Sequence, residues 1–231
     1  MANFSQRVRK KKLLCPQDKV VFCMLCLRFF TVWFEVMVFS DIVSESQFNR
    51  MFRNRNPLYK YCSLVEATRL FPAFCSGGFS RQEAAAFLAQ IAHETRELYY
   101  VEEVSPRGTY IESSHPHNKD QSYHGRGPLQ LSWNFNYDKA YKALIRLGSD
   151  IKDAKDTLLD NPSQVATNDQ LGFETALWFW MESSNGGITC HNAMANSDFD
   201  RTTQVINPID TNEQREHRRE YYRKFRQILG A

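Results

Sequence analysis

SRQEAAAFLAQIAHETRELYYVEEV, residues 80–104, carries a long helix signal and then two acidic residues set among apolar ones. Ser80 followed three residues later by Glu83 is a capping-box pattern ahead of an apolar run. Ala84, Phe87, Leu88 and Ile91 fall at i, i+3, i+4 and i+7, one face of a helix. Glu83, Gln90, Glu94 and Glu97 form a polar stripe beside that face. The spacing places Glu94 near the end of a helix whose other side is core.

Glu102 and Glu103 follow, surrounded by Leu98, Tyr99, Tyr100, Val101 and Val104. Two carboxyl groups at one cleft are the minimum equipment for glycoside hydrolysis. One protonates the leaving oxygen, and the other activates water or attacks the sugar. An unbroken helix from Glu94 to Glu103 would turn through about 900° and leave them on opposite faces, about 13 Å apart. A working pair therefore requires a break between Glu97 and Tyr100. The bulky Leu-Tyr-Tyr-Val run favours extended structure there. The bland alternative is a surface helix whose glutamates do no chemistry. A zinc site beginning at His93-Glu94 lacks its second histidine, because H-E-x-x-H needs one where Glu97 stands.

The chain has 231 residues, enough for one sizeable domain with an extension. A formal charge of +3 is too mild to imply a nucleic-acid partner. Aromatic residues make up 13%, which suits a groove that stacks on apolar faces and equally suits a packed core. The main body holds Cys62, Cys75 and Cys190. This odd number leaves at least one thiol free unless it pairs with Cys15, Cys23 or Cys26. Cys23-x-x-Cys26 has no second pair, and His115-Pro-His117 has no matching ligand, so no metal or cofactor is expected.

Residues 1–44 differ from the rest. Arg7 to Lys12 is basic, and Val20 to Val43 is apolar but interrupted by Arg28, Glu35 and Asp41. A degenerate signal or anchor, a buried amphipathic extension and a non-native start all remain open. Any membrane contact is expected only through residues 20–43. Residues 45–231 read as a single, monomeric, all-α domain with at most a small β piece, near residues 98–104 and 128–134. Helices are expected from about Ser46, Tyr59, Ser80, Asp138, Asn161-Pro162, Gly172 and Asn212. A linker is expected over Asp198–Asp210. Leu129, Leu131 and Trp133 alternate with Gln130, Ser132 and Asn134. In an extended segment one set would pack, and the other would offer neutral hydrogen-bonding groups suited to a sugar. Phe173, Ala176, Leu177 and Trp180 form one apolar helical stripe.

Four stretches in this order resemble glycoside hydrolase family 19: AAFLAQIAHET (84–95), YHGRGPLQLSWNFNY (123–137), NPSQVATND (161–169) and FETALWFWM (173–181). The resemblance covers roughly residues 46–230 and is closer to the compact bacterial-type members. It implies a lysozyme-like bilobal helical fold and an endo-acting, inverting chitinase. It places the general acid on Glu94 and the base on Glu103, with Ser132 holding the attacking water. His93, Tyr123, Gln130, Asn136, Asn207 and Arg218 fall on substrate-binding and positioning sites, with Arg218 ordering the carboxylates. The substrate implied is chitin or an N-acetylglucosamine oligosaccharide. The location implied is extracellular, with a membrane-anchored form as the alternative. A chitin-binding protein without turnover and a peptidoglycan-cleaving lysin also remain open. Two departures stand out. The family's Ile-Asn-Gly is Ile206-Asn207-Pro208 here, and a Tyr-Cys-Asp stretch is Tyr110-Ile111-Glu112, which removes a disulfide.

Overall fold

Helix α4 (Ser80–Thr95) is enclosed along most of its circumference, with twelve of its sixteen residues buried. Alanines at 84, 85, 86, 89 and 92 let neighbouring helices approach closely. The computed structural model describes residues 38–153 and 156–231. The signal, anchor and extension readings fall almost wholly outside the described residues. No helix among those described is long and apolar enough to cross a membrane.

Ahead of α4 come α1 (Phe39–Ile42), α2 (Glu45–Met51) and α3 (Tyr61–Thr68). After it come α5 (Asn134–Leu147), a 3₁₀ turn (Asp150–Asp153), α6 (Gln164–Thr167) and α7 (Asp169–Glu182). A two-stranded antiparallel hairpin, β1 (Ser184–Asn185) and β2 (Ile188–Thr189), leads to α8 (Cys190–Ala195), α9 (Phe199–Ile206) and α10 (Asn212–Leu229). Helix α10 lies along α4, and α3 and α5 pack on α7. The fold is all-α. Cys62, Cys75 and Cys190 are all free thiols.

Several boundaries follow from capping. Ser44 and Gln47 form a reciprocal capping box on α2, and Thr211 and Gln214 form one on α10. Gly230, with φ of +67°, ends α10 in the left-handed conformation that glycine adopts most easily. The expected stripe on α7 is core: Phe173, Leu177 and Trp180 are fully buried and Ala176 nearly so.

Other expectations are corrected. Ser80 caps nothing; Phe79 is the N-cap of α4. Glu83 points inward and accepts from the Cys75 backbone N–H (2.8 Å), Trp180 Nε1 (2.9 Å) and His191 Nδ1 (2.6 Å). It ties α4 to α7 and α8, because a carboxylate stripped of water needs this many partners. The 198–210 segment is mostly helix α9. Asp198 caps it, and Phe199, Thr202, Thr203 and Val205 are buried. The Asn161-Pro162 helix starts later, at Gln164, after a turn. Helix α5 starts at Asn134, four residues before the expected Asp138. Phe39, Ile42 and Val43 lie in the core, so the folded body takes in residues ahead of 45.

Candidate active site

The required break after Glu94 is present. Helix α4 stops because Arg96, Glu97 and Leu98 all take left-handed φ values of 52°, 59° and 61°. Each such non-glycine residue costs on the order of 1 kcal/mol. Two features hold the turn. Leu98 is fully buried, and Thr95 Oγ1 donates to Ile91 O (2.7 Å) while accepting from the Leu98 N–H (2.8 Å). Beyond the turn, Glu102 pairs with Arg126 in an isolated antiparallel bridge.

Glu94 sits at the helix end with 17% of its side chain exposed. Its Oε1 accepts from Arg218 Nη2 at 2.6 Å. Arg218 is only 1% exposed. It also donates through Nη1 to Gln90 Oε1 (2.7 Å) and through Nε to Asp210 Oδ2 (2.6 Å). Gln90 lies one turn before Glu94 on α4, and its amide donates to Thr202 and Thr203 on α9. Asn207 donates to Asp210 Oδ1 at 2.6 Å. Asn207, Asp210, Arg218 and Glu94 thus form one chain of contacts across three elements. Burial raises the Glu94 carboxyl above its ordinary value. The Arg218 charge and hydrogen bond oppose that rise, and Asp210 adds to it. His93, next to Glu94, meets His217 of α10 with Nδ1 atoms 3.1 Å apart. Its pKa is pushed down to about 4, first by burial and then by Arg218.

Glu103 belongs to a second constellation. Arg126 bridges Glu102 on one side and Leu131 on the other, both antiparallel. This register sets Glu103 opposite Gly125 and Gly125 opposite Ser132, a cross-strand row on one face. The Glu103 backbone N–H donates to Gly125 O (2.8 Å), and its Oε2 accepts from the Gly125 N–H (3.2 Å). Tyr110 donates its hydroxyl to Glu103 Oε1 at 2.7 Å, and that hydrogen bond raises the tyrosine pKa. Gly125 supplies no side chain, and the place a Cβ would take is bordered by Gln130 and Ser132. A Cβ there would lie 2.9 Å from Gln130 Oε1 and 3.4 Å from Ser132 Oγ. Glu102 faces the other way, toward His124 (3.2 Å) and Arg126 (3.6 Å).

The alternation expected after Pro128 holds only in part. Residues 127–130 form a tight turn closed by the Arg126–Leu131 pair, with Gln130 at φ +50°. Trp133, at φ +73°, turns outward and is 42% exposed, while Asn134 is fully buried. Asn134 accepts from the Glu112 N–H and donates to the carbonyls of Glu112, His115 and Pro116. It staples the 110–118 loop where the resemblance would have put a disulfide. Gln130 and Ser132 lie beside Gly125. Asn136 donates to Ser132 O (2.9 Å) and so braces that serine. Tyr123 does not line a surface. It is fully buried, with its hydroxyl accepting from the Asn118 N–H and donating to Leu159 O. Arg218, likewise, is too buried to touch a sugar; its contacts are with Glu94, Gln90 and Asp210. Gln90, Thr95, Tyr110, Gly125 and Asp210 were not anticipated. Gln90 was the legible one, four residues before Glu94 on the same helix face.

Among the described residues no group of three or more His, Cys, Asp or Glu is arranged to hold a metal ion. A carboxyl raised by burial, a second carboxylate beside neutral hydroxyl and amide groups, and a helical scaffold amount to the working parts of a glycoside hydrolase. Residues 42–204 match the family described as class I chitinase. Chitinase 10 of Oryza sativa subsp. japonica is 33% identical over 237 residues, spanning 83% of this chain and 78% of the rice protein. The crystal structure of chitinase C from Streptomyces griseus HUT6037 is 38% identical, covers 82% of this chain and 93% of its own, and superposes with a TM-score of 0.72. A class IV chitinase from Zea mays matches with the same TM-score at 30% identity, over 84% of this chain and 96% of its own. The chain belongs to glycoside hydrolase family 19, the class I chitinases, and is a glycoside hydrolase.

Proposed function

We propose that the protein is an extracellular endo-chitinase that cleaves β-1,4 linkages between N-acetylglucosamine units in a single inverting displacement. Glu94, protonated, gives its proton to the glycosidic oxygen as the bond to C1 breaks. Glu103, ionised, takes a proton from a water held with Ser132, and that water's oxygen bonds to C1 from the opposite face. The α-anomer leaves as the new reducing end. The observation that carries this reading is the contrast between the two carboxyls. Glu94 is raised by burial, as a general acid requires, while Glu103 is held by the Tyr110 hydroxyl and the Gly125 N–H in the row that runs on to Ser132. Gln130 supplies a neutral amide beside the same row, matched to an uncharged sugar. His93 and Asn207 lie at the Glu94 end. Asn207 has its amide nitrogen committed to Asp210, which leaves its oxygen for a ligand.

The test is hydrolysis of an N-acetylglucosamine hexamer by the full chain, with products read promptly by NMR. Initial α-anomer from internal cleavage is expected. Glu94→Gln and Glu103→Gln are each expected to lower kcat by about 100-fold or more. Initial β-anomer would exclude the single displacement. Unchanged turnover in either variant would remove that residue from its role.

A further inference from the structure

His93 on α4 and His217 on α10 are 124 positions apart in the chain, yet their imidazoles converge. The Nδ1 atoms are 3.1 Å apart and the ring centroids 5.1 Å, with the planes inclined at 60°. Two nitrogens bound to one zinc at about 2.0–2.1 Å, with an angle of about 100–110° between them, lie about 3.1–3.4 Å from each other. At this spacing one imidazole N–H can donate to the other ring's free nitrogen, and with both Nδ1 lone pairs free the same spacing is that of two ligands on one ion. We propose that His93 and His217 form a two-histidine site for a borderline divalent transition cation such as zinc, bridging α4 to α10.

The chemistry of the surroundings fits. Imidazole nitrogen suits zinc, copper and nickel better than magnesium or calcium. His217 is exposed and His93 partly so, which leaves room for water to complete the coordination shell. The nearby positive charge of Arg218 is offset by Asp210, in contact with it at 2.6 Å. With only two protein ligands the ion is exchangeable, not a resident structural metal. The pair also supplies what position 97 lacks in the H-E-x-x-H pattern: a second histidine, brought by another helix.

The bridge joins the two helices that hold the Glu94–Arg218 ion pair, so binding stabilises the folded state by mass action. The test uses tag-free full-length protein, stripped with chelator and kept reduced. Zinc chloride is titrated by calorimetry in a non-coordinating buffer, and thermal unfolding is followed with and without zinc. The wild-type chain is expected to bind one equivalent more than His217→Ala and to show a rise in Tm that the variant lacks. His93→Gln is expected to lose the same equivalent. A His217→Ala variant that keeps every zinc equivalent and the full rise in Tm would overturn the site, as would a wild-type chain that binds none. Neither outcome depends on hydrolytic activity, so the site and the proposed function stand or fall separately.

Discussion

Gly125 is where a single hydrogen atom matters most. Its place in the row between Glu103 and Ser132 requires the absence of a side chain, since a Cβ would press on Gln130 Oε1 at 2.9 Å and on Gln130 Cβ at 3.2 Å. The flexible end of Gln130 can give way, so Gly125→Ala is expected to fold. The added methyl occupies the space the proposed mechanism assigns to water, and kcat is expected to fall on the order of 100-fold. A Gly125→Ala enzyme with full kcat on the hexamer would move the reacting water elsewhere. Asp210 acts at the same scale but through charge. It raises the Glu94 carboxyl, while Arg218 lowers it. Asp210→Asn leaves the Arg218 charge answered by Glu94 alone, so the Glu94 value falls. A general acid works only while protonated, and the alkaline limb of the kcat/KM profile is therefore expected to move to lower pH. A limb that stays in place would mean that it belongs to another group.

At the scale of elements, the Glu103 constellation depends on how the 125–132 hairpin docks against the helices. Gly127, at φ +73°, would place a Cβ 2.9 Å from Val165 Cγ1 of α6 and 3.5 Å from the Gly172 Cα of α7. Gly172 in turn leaves room for Pro128, whose Cδ a Cβ there would meet at 3.3 Å. Gly127→Ala combines left-handed strain with overpacking, and a loss of about 3 kcal/mol is expected in urea unfolding. A loss below about 0.5 kcal/mol would show the docking to be loose. The sequence pattern alone revealed much here, and its failures have physical causes. Period-3.6 patterning located α4, α7 and α10, because packing and propensity agree in those helices. Helix α9 was read as a linker, since its inward face includes two threonines that hydrogen-bond to Gln90 and so carry little apolar signal. The buried role of Glu83 was hidden for the same reason, as a polar residue announces a surface until its distant partners are known. Tyr123 was misplaced because a buried tyrosine and a ligand-facing one look alike in a chain. That the helix must break before Glu103 was legible because two cooperating carboxyls demanded it, although it ends at Thr95 and turns over 96–98, earlier than the expected Glu97 to Tyr100. What enforces it, Thr95 and three left-handed residues in succession, was not.

For the whole molecule, neither departure from the family pattern disturbs the fold. Asn207 takes φ −144° and ψ 92°, the extended conformation that a following proline imposes, and the Pro208 carbonyl accepts from Arg215. The missing disulfide is replaced by the amide of Asn134. With no disulfide among the described residues, stability rests on packing and on buried polar contacts, among them the Glu83 hub that joins α4, α7 and α8. That hub makes stability depend on pH. The hydrogen bond to Glu83 raises the His191 pKa above 6.5, against a smaller opposing effect of burial. A base with a raised folded-state value contributes stability that is complete below its unfolded value and is lost as pH rises through the folded one. Below pH 6.5 other groups intervene in both directions. The depressed His93 favours folding as pH rises from about 4 toward 6.5, whereas the raised Glu94 and Glu174 oppose it over the range just above 4.5. Above pH 6.5 His191 titrates first, and the buried Cys75 and Cys190 thiols, also raised, act in the same direction only near pH 9, so the urea midpoint is expected to fall as pH rises above 6.5. His191→Gln can still donate to Glu83 but cannot titrate, and it is expected to flatten that slope. An equal slope in wild type and variant would detach the pH dependence from the hub and leave Glu83 a purely geometric tie between α4, α7 and α8.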